Sequence, residues 1–320
     1  MERQKWGNRI FNFSAAITLM ALLSVFIISC SKNTDEAILP ELPDQVLFRL
    51  PIVVHVIHNG EAMGEGPNLS TDRIKRQIEI LNEDFRRKKG TRGYNEHPDG
   101  GDAKIEFFLA KVDPNGKPTD GINRINASKI EVPELGYSLE HYAQYAYWPP
   151  NRYINVWTTP LNNDFMCLAL GLATGPETDL PGTDLLALPK SGEPDGILIN
   201  WNHFGESTID CHARFGRTLT HEMGHFLGLL HTWGGKDCET NDYCDDTPAV
   251  DKQVFGRSPF MGCAGEMVMI ENYMNWSDDE VMNTFTNDQI DRMHYVLSNH
   301  EGRKALSKSG AEQSKLVTSG

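Results

Sequence analysis

The chain has 320 residues, 44 acidic against 30 Lys plus Arg, a formal net charge of -14 and 39% hydrophobic residues. That apolar content fills a core, which excludes a disordered polymer, and no glycine period or long heptad run points to collagen or a coiled coil. The acid excess argues against a nucleic-acid partner, whose phosphates demand a basic surface, and leaves bound cations open.

The N-terminus has its own character. Arg3, Lys5 and Arg9 precede an apolar run from Ala15 to Ile28. The run is shorter than the roughly 20 residues of a membrane span and suits the core of a secretory signal. It ends in Ile27-Ile28-Ser29-Cys30, which resembles the lipobox of bacterial lipoproteins with Ile where Leu is usual. The resemblance implies cleavage after residue 29 and lipidation of Cys30; ordinary signal cleavage or an uncleaved anchor are the alternatives. Ser31 to Glu36 is similar to the lysine-then-acidic surface-export signal of Bacteroidota lipoproteins, although two residues part Lys32 from Asp35. The expected location is the outer membrane or surface of such a Gram-negative cell, or secretion. Membrane contact is expected only through the lipid. Residues 30–46, with Pro40 and Pro43, read as a flexible tether.

One large domain is expected over residues 47–302, its N-terminal part reaching about residue 231 and its C-terminal part 232–302. Leu50 to Ile57 is β-branched and apolar, hence a buried strand. Ser70-Thr71-Asp72 caps a helix whose Ile74, Ile78, Leu81 and Phe85 have helical spacing. Strands are read at Lys104–Ala110, Tyr153–Thr158 and Asp195–Asn200, then a helix from about Arg214 to Leu227. Alternating strands and helices predict an α/β (α+β) fold with a twisted mixed sheet. The stretch from Thr232 to about Ser277 is loop-rich. A last helix runs near Asp288–Asn299, and residues 303–320 read as a polar tail.

The sharpest feature is His221-Glu222-Met223-Gly224-His225-Phe226-Leu227-Gly228-Leu229-Leu230-His231. Four residues apart on a helix, His221 and His225 lie about 40° apart on one face and reach one ion. Glu222 sits about 100° round, where it holds a water on that ion without ligating it. A continuous helix points His231 away. Gly228, in a left-handed conformation, ends the helix and lets His231 return as third ligand. Three histidines and one open position make a catalytic zinc, with Glu222 as base toward the zinc-bound water. By chance such a pattern arises on the order of once in 10,000 sequences of this composition.

This motif resembles the extended zinc signature of metzincin metallopeptidases. Asn272-Tyr273-Met274-Asn275-Trp276 is similar to the family's methionine turn, which implies a structural role for Met274 beneath the metal. His231-Thr232-Trp233, Asp245-Asp246-Thr247-Pro248 and the run from Asn272 to Thr286 resemble the pappalysin (M43, ulilysin-like) branch. The resemblance implies the metzincin fold and a zinc-dependent endopeptidase acting on extracellular or envelope proteins. The alternative is a non-catalytic surface lipoprotein binding peptides or glycans, for which Glu222 has no use. One departure stands out: Trp276 occupies the position where relatives commonly carry Tyr.

Cysteines Cys167, Cys211, Cys238, Cys244 and Cys263 remain beyond Cys30, an odd count in a disulfide-permitting compartment. The resemblance implies Cys238 with Cys263; a second pair comes from the other three. A cysteine zinc site competes, without C-x-x-C spacing. Asp237, Asp242, Asp245 and Asp246 crowd ten residues, which suits either solvent or calcium, and the resemblance favours calcium. Asp278, Asp279 and Glu280 follow the methionine turn, where the family builds the S1′ wall. A carboxylate there would favour Arg or Lys after the scissile bond, although the residues themselves read first as a plain surface turn.

Overall fold

The computed structural model describes residues 47–160, 167 and 170–318. Cys30, the signal-like segment and the tether lie outside them. An eleven-residue, largely apolar and β-branched run forms β1 (Phe48–His58), buried without interruption from Leu50 to Ile57. A strand buried on both faces shows no alternation, which is why this run reads as continuously hydrophobic. Ile52, Val54 and Val56 enter the main core, whereas Val53 and Ile57 face a second layer with Tyr153 and Trp157.

Helix α1 (Thr71–Phe85) follows, with Ser70 as N-cap accepting from Arg73 N at 3.2 Å. Strands β2 (Ile105–Leu109) and β3 (Ile122–Asn126) share one edge of β1. The first pairs with residues 48–52 and the second with 54–58, both parallel. After a short helix, α2 (Leu139–Ala143), strand β4 (Ile154–Thr159) pairs with the other edge of β1. Strand β5 (Gly171–Ala173) is the edge and runs antiparallel to β6 (Ile197–Asn200). The order is β2-β1-β4-β6-β5, a mixed sheet as expected. Helix α3 (Arg217–Phe226) packs against α1, β5 and β6.

The chain from Thr232 to Thr286 carries little regular structure, mainly the two-residue pairing of β7 (Phe255–Gly256) with β8 (Trp276–Ser277). Disulfides join Cys238 to Cys263 and Cys167 to Cys211, and Cys244 is free and buried. Helix α4 (Asn287–Asn299) opens on a capping box between Thr286 and Gln289.

The stretch expected as a polar tail is instead helix α5 (Glu301–Thr318), packed on β1. Arg303, Leu306, Ser309 and Gln313 are buried, mostly polar side chains satisfied by backbone. Lys111 N donates to Gln313 Oε1 at 3.1 Å, and Ser309 Oγ donates to Arg152 O at 3.0 Å. A Cβ at Gly310 would collide with the Arg49 carbonyl, so glycine permits the close approach. Among the described residues no helix is long and apolar enough to cross a membrane.

Candidate active site

Helix α3 begins at Gly216, in the left-handed region with φ 80°, and has no cap of its own. Asp279 supplies one from 62 residues downstream: its Oδ2 accepts from Phe215 N at 2.8 Å and Arg217 N at 3.2 Å. The same first turn is tied to α1. Arg217 Nη2 donates to Asp84 Oδ1 at 3.0 Å, both side chains fully buried, and Thr220 Oγ1 donates to Asp84 Oδ2 at 2.6 Å.

One helical turn on, His221 and His225 project from one face. Gly228, with φ 94°, stops the helix, and Leu229 N closes back on Gly224 O at 2.9 Å. Arg292 of α4 satisfies the Gly228 carbonyl at 2.7 Å. The reversal delivers His231. Its Nε2 lies 3.2 Å from that of His221 and 3.1 Å from that of His225, and the latter two are 3.1 Å apart. Tetrahedral zinc with Zn–N bonds of about 2.0–2.1 Å holds its nitrogens about 3.3 Å apart, close to this triangle.

The outer nitrogens fix the tautomers. His221 Nδ1 faces Tyr273 O at 2.7 Å and His225 Nδ1 faces Leu229 O at 2.8 Å. Proton donation to those carbonyls leaves the Nε2 lone pairs turned towards one another, an arrangement that calls for a cation between them. Burial pushes His221 down to about 3 and His225 to about 4, and takes His231 well below its ordinary value, so all three are neutral. His231 stacks on Trp233, centroids 4.3 Å apart and planes 9° off parallel.

Glu222 faces β5. Burial pushes its carboxyl up to about 8, opposed by a hydrogen bond from the Ala173 backbone. A Cβ built on Gly171 would stand 2.9 Å from Glu222 Oε1 and 2.8 Å from its Cγ, so glycine at this edge makes room for the carboxylate. Beneath the histidines lies Met274, fully buried, its N–H bonded to Asn272 Oδ1 at 2.9 Å. A Cβ on Gly224 would overlap its sulfur. Asn272 is held in turn by Gln289 of α4.

These groups open into a cleft of about 570 Å³ lined by Gly171, Leu172 and Ala173 on one side and Trp276, Ser277 and Asp279 on the other. Of the three acids after the methionine turn, the structure brings only Asp279 to the cleft. Asp278 and Glu280 turn away to Arg257, each at 2.6 Å. The four clustered aspartates also part company. Asp237 bonds its own turn at Glu239 N and Thr240 N, and Asp242 is buried against Thr247, Cys244 and Gln289. Asp245 N and Asp246 N both donate to Asp288, and Asp246 Oδ1 is buried without a partner.

Gly171, Asp84 and Arg217 carry no local signal in the sequence. Asp84 and Arg217 stand 133 residues apart and meet only through the fold.

A mixed sheet over a zinc-type histidine triangle, with a buried glutamate beside it and a methionine turn below, defines a metallopeptidase of the metzincin type. Residues 138–298 match the family model Peptidase_M43, pregnancy-associated plasma protein-A. An extracellular metalloprotease of Arthroderma benhamiae is 34% identical over 247 residues, covering 76% of this chain and 69% of that protein. One from Colletotrichum graminicola is 35% identical over 135 residues, and the aligned stretch spans 44% of its length. Among solved structures, Tannerella forsythia mature mirolysin in complex with a cleaved peptide superposes with a TM-score of 0.67 at 30% identity, covering 83% of this chain and 97% of that one. The chain belongs to the Peptidase_M43 family.

Proposed function

We propose that this protein is a zinc endopeptidase of extracellular or envelope proteins, with His221, His225 and His231 as ligands and Glu222 as catalytic base. The Nε2 triangle with Glu222 beside it carries this reading. When bound, zinc polarises the scissile carbonyl and acidifies water. Strand β5 pairs with β6 along one edge, so an extended peptide adds along the other. Glu222, held against that edge, takes a proton from the attacking water and hands it to the leaving amine. A binding module has no use for a carboxylate placed there, which disfavours the non-catalytic alternative. Glu222→Gln is expected to retain zinc and lose about 100-fold or more in peptide turnover. Near-normal turnover by purified Glu222→Gln would exclude the mechanism.

Three finer readings attach to this one. Asp279, with the partnerless buried hydroxyls of Thr218 and Ser277 beside it in the cleft, supports an S1′ pocket for Arg or Lys. Cleavage profiling that finds only apolar residues there would remove it. Calcium in the loop after His231 is supported by the partnerless Asp246 Oδ1 beside Asp288. Full thermal stability with zinc alone would count against calcium. Export is supported by the extracellular relatives, and lipid attachment at Cys30 by its lipobox-like setting. Radiolabelled fatty acid incorporated into the wild type but not into Cys30→Ser is the expected result.

A further inference from the structure

The methionine turn holds a feature that catalysis does not use. Strand β8 pairs with β7 in parallel, with Phe255 opposite Trp276. Trp276 N donates to Val254 O at 2.9 Å and Asp278 N to Gly256 O at 3.2 Å. Arg257 clamps the ribbon through Asp278 and Glu280, each at 2.6 Å. Alternation then sends Val254 into a core cluster with Trp233 and turns Phe255 outward. Phe255 is 60% exposed and Trp276 41%, their centroids are 5.3 Å apart, and both line the cleft. Trp276 packs edge-on against His231 at 5.3 Å and against Trp233 at 5.0 Å. Large aromatic rings left in water beside a cleft, and fixed by their own strand pair and ion pairs, mark a surface built to be covered.

We propose that Phe255 and Trp276 form a specificity subsite for an aromatic or large aliphatic side chain of the peptide substrate, a reading that rests on the peptidase assignment. Continuity with the catalytic cleft selects the occupant. Phe255 lies two ring contacts from His231, and an extended peptide advances about 3.3 Å per residue, so the recognised side chain sits about two or three residues from the bond cut. Arg257, paired with Asp278 and Glu280, ties the two strands of the platform together.

The test uses the zinc-loaded protein and a candidate substrate peptide, varied as Phe or Ser at the second and third residues on either side of its central bond. The wild type is expected to favour Phe at one of these positions about three- to tenfold in kcat/KM, through KM. Phe255→Ser is expected to bring that Phe-to-Ser ratio towards one, and Phe255→Tyr to restore it. Binding of the same peptides to Glu222→Ala, followed by calorimetry, should show the same preference without turnover. Absence of the preference in the wild type, or its survival in Phe255→Ser, overturns the subsite. Binding preference without any cleavage by the wild type would instead leave the subsite standing and overturn the peptidase reading.

Discussion

Gly171 lacks a side chain because Glu222 occupies the space that one would fill. Gly171→Ala therefore displaces the carboxylate without touching a histidine. A shift of about 1 Å at a reacting group costs up to about 100-fold. The expected outcome is a fall in kcat of at least tenfold with zinc content unchanged, checked by peptide hydrolysis beside metal analysis. Gly224 makes the complementary case. Its missing Cβ admits the Met274 sulfur under the histidines, so Gly224→Ala overpacks the floor. A cost of about 1–3 kcal/mol is expected, read as a lowered Tm.

The decisive contacts between elements are buried and charged. Asp84 on α1 and Arg217 on α3 are fully buried, and each compensates the other. Removing one partner leaves a naked charge in the interior, which costs about 3–5 kcal/mol. Asp84→Asn is expected to lower Tm by roughly 10 °C in a domain of this size. The double change Asp84→Leu with Arg217→Met is expected to cost less than Asp84→Leu alone, and thermal melts of the three variants check this.

Elements that bury an apolar face were legible in the sequence: β1 by its unbroken run, α1 by its period and the zinc helix by its motif. Strand β3 (Ile-Asn-Arg-Ile-Asn) was hidden because most of its side chains are half-exposed and polar. Strand β5 is three residues long, too short for any pattern. Helix α5 was hidden because Arg303, Ser309 and Gln313 do the burying, and polar residues satisfied by distant backbone look like solvent-facing ones. In the site, ligand spacing was local and readable, whereas the support from Asp84, Gly171 and Asp279 exists only once the chain has closed.

At the scale of the molecule, a disulfide staples the loop-rich part, and the histidine triangle lies just before it. Chelation is expected to abolish peptide cleavage and zinc to restore it, checked on casein with and without chelator. The Cys238–Cys263 bridge closes a loop of 25 residues, and its double replacement by Ser is expected to cost about 3 kcal/mol, read by denaturant unfolding under oxidising conditions. Helix α5 has a different consequence. Arg303 caps the end of the zinc helix: its Nε donates to Phe226 O at 2.9 Å, its guanidinium lies 3.5 Å from the Phe226 ring centroid, and Asp195 pairs with it at 2.9 Å. The same helix covers β1, the first strand of the domain. The catalytic helix thus gains its Arg303 support only once α5 has been made and has packed on β1. A chain wired this way cannot complete the support of its histidine helix before α5 has been made.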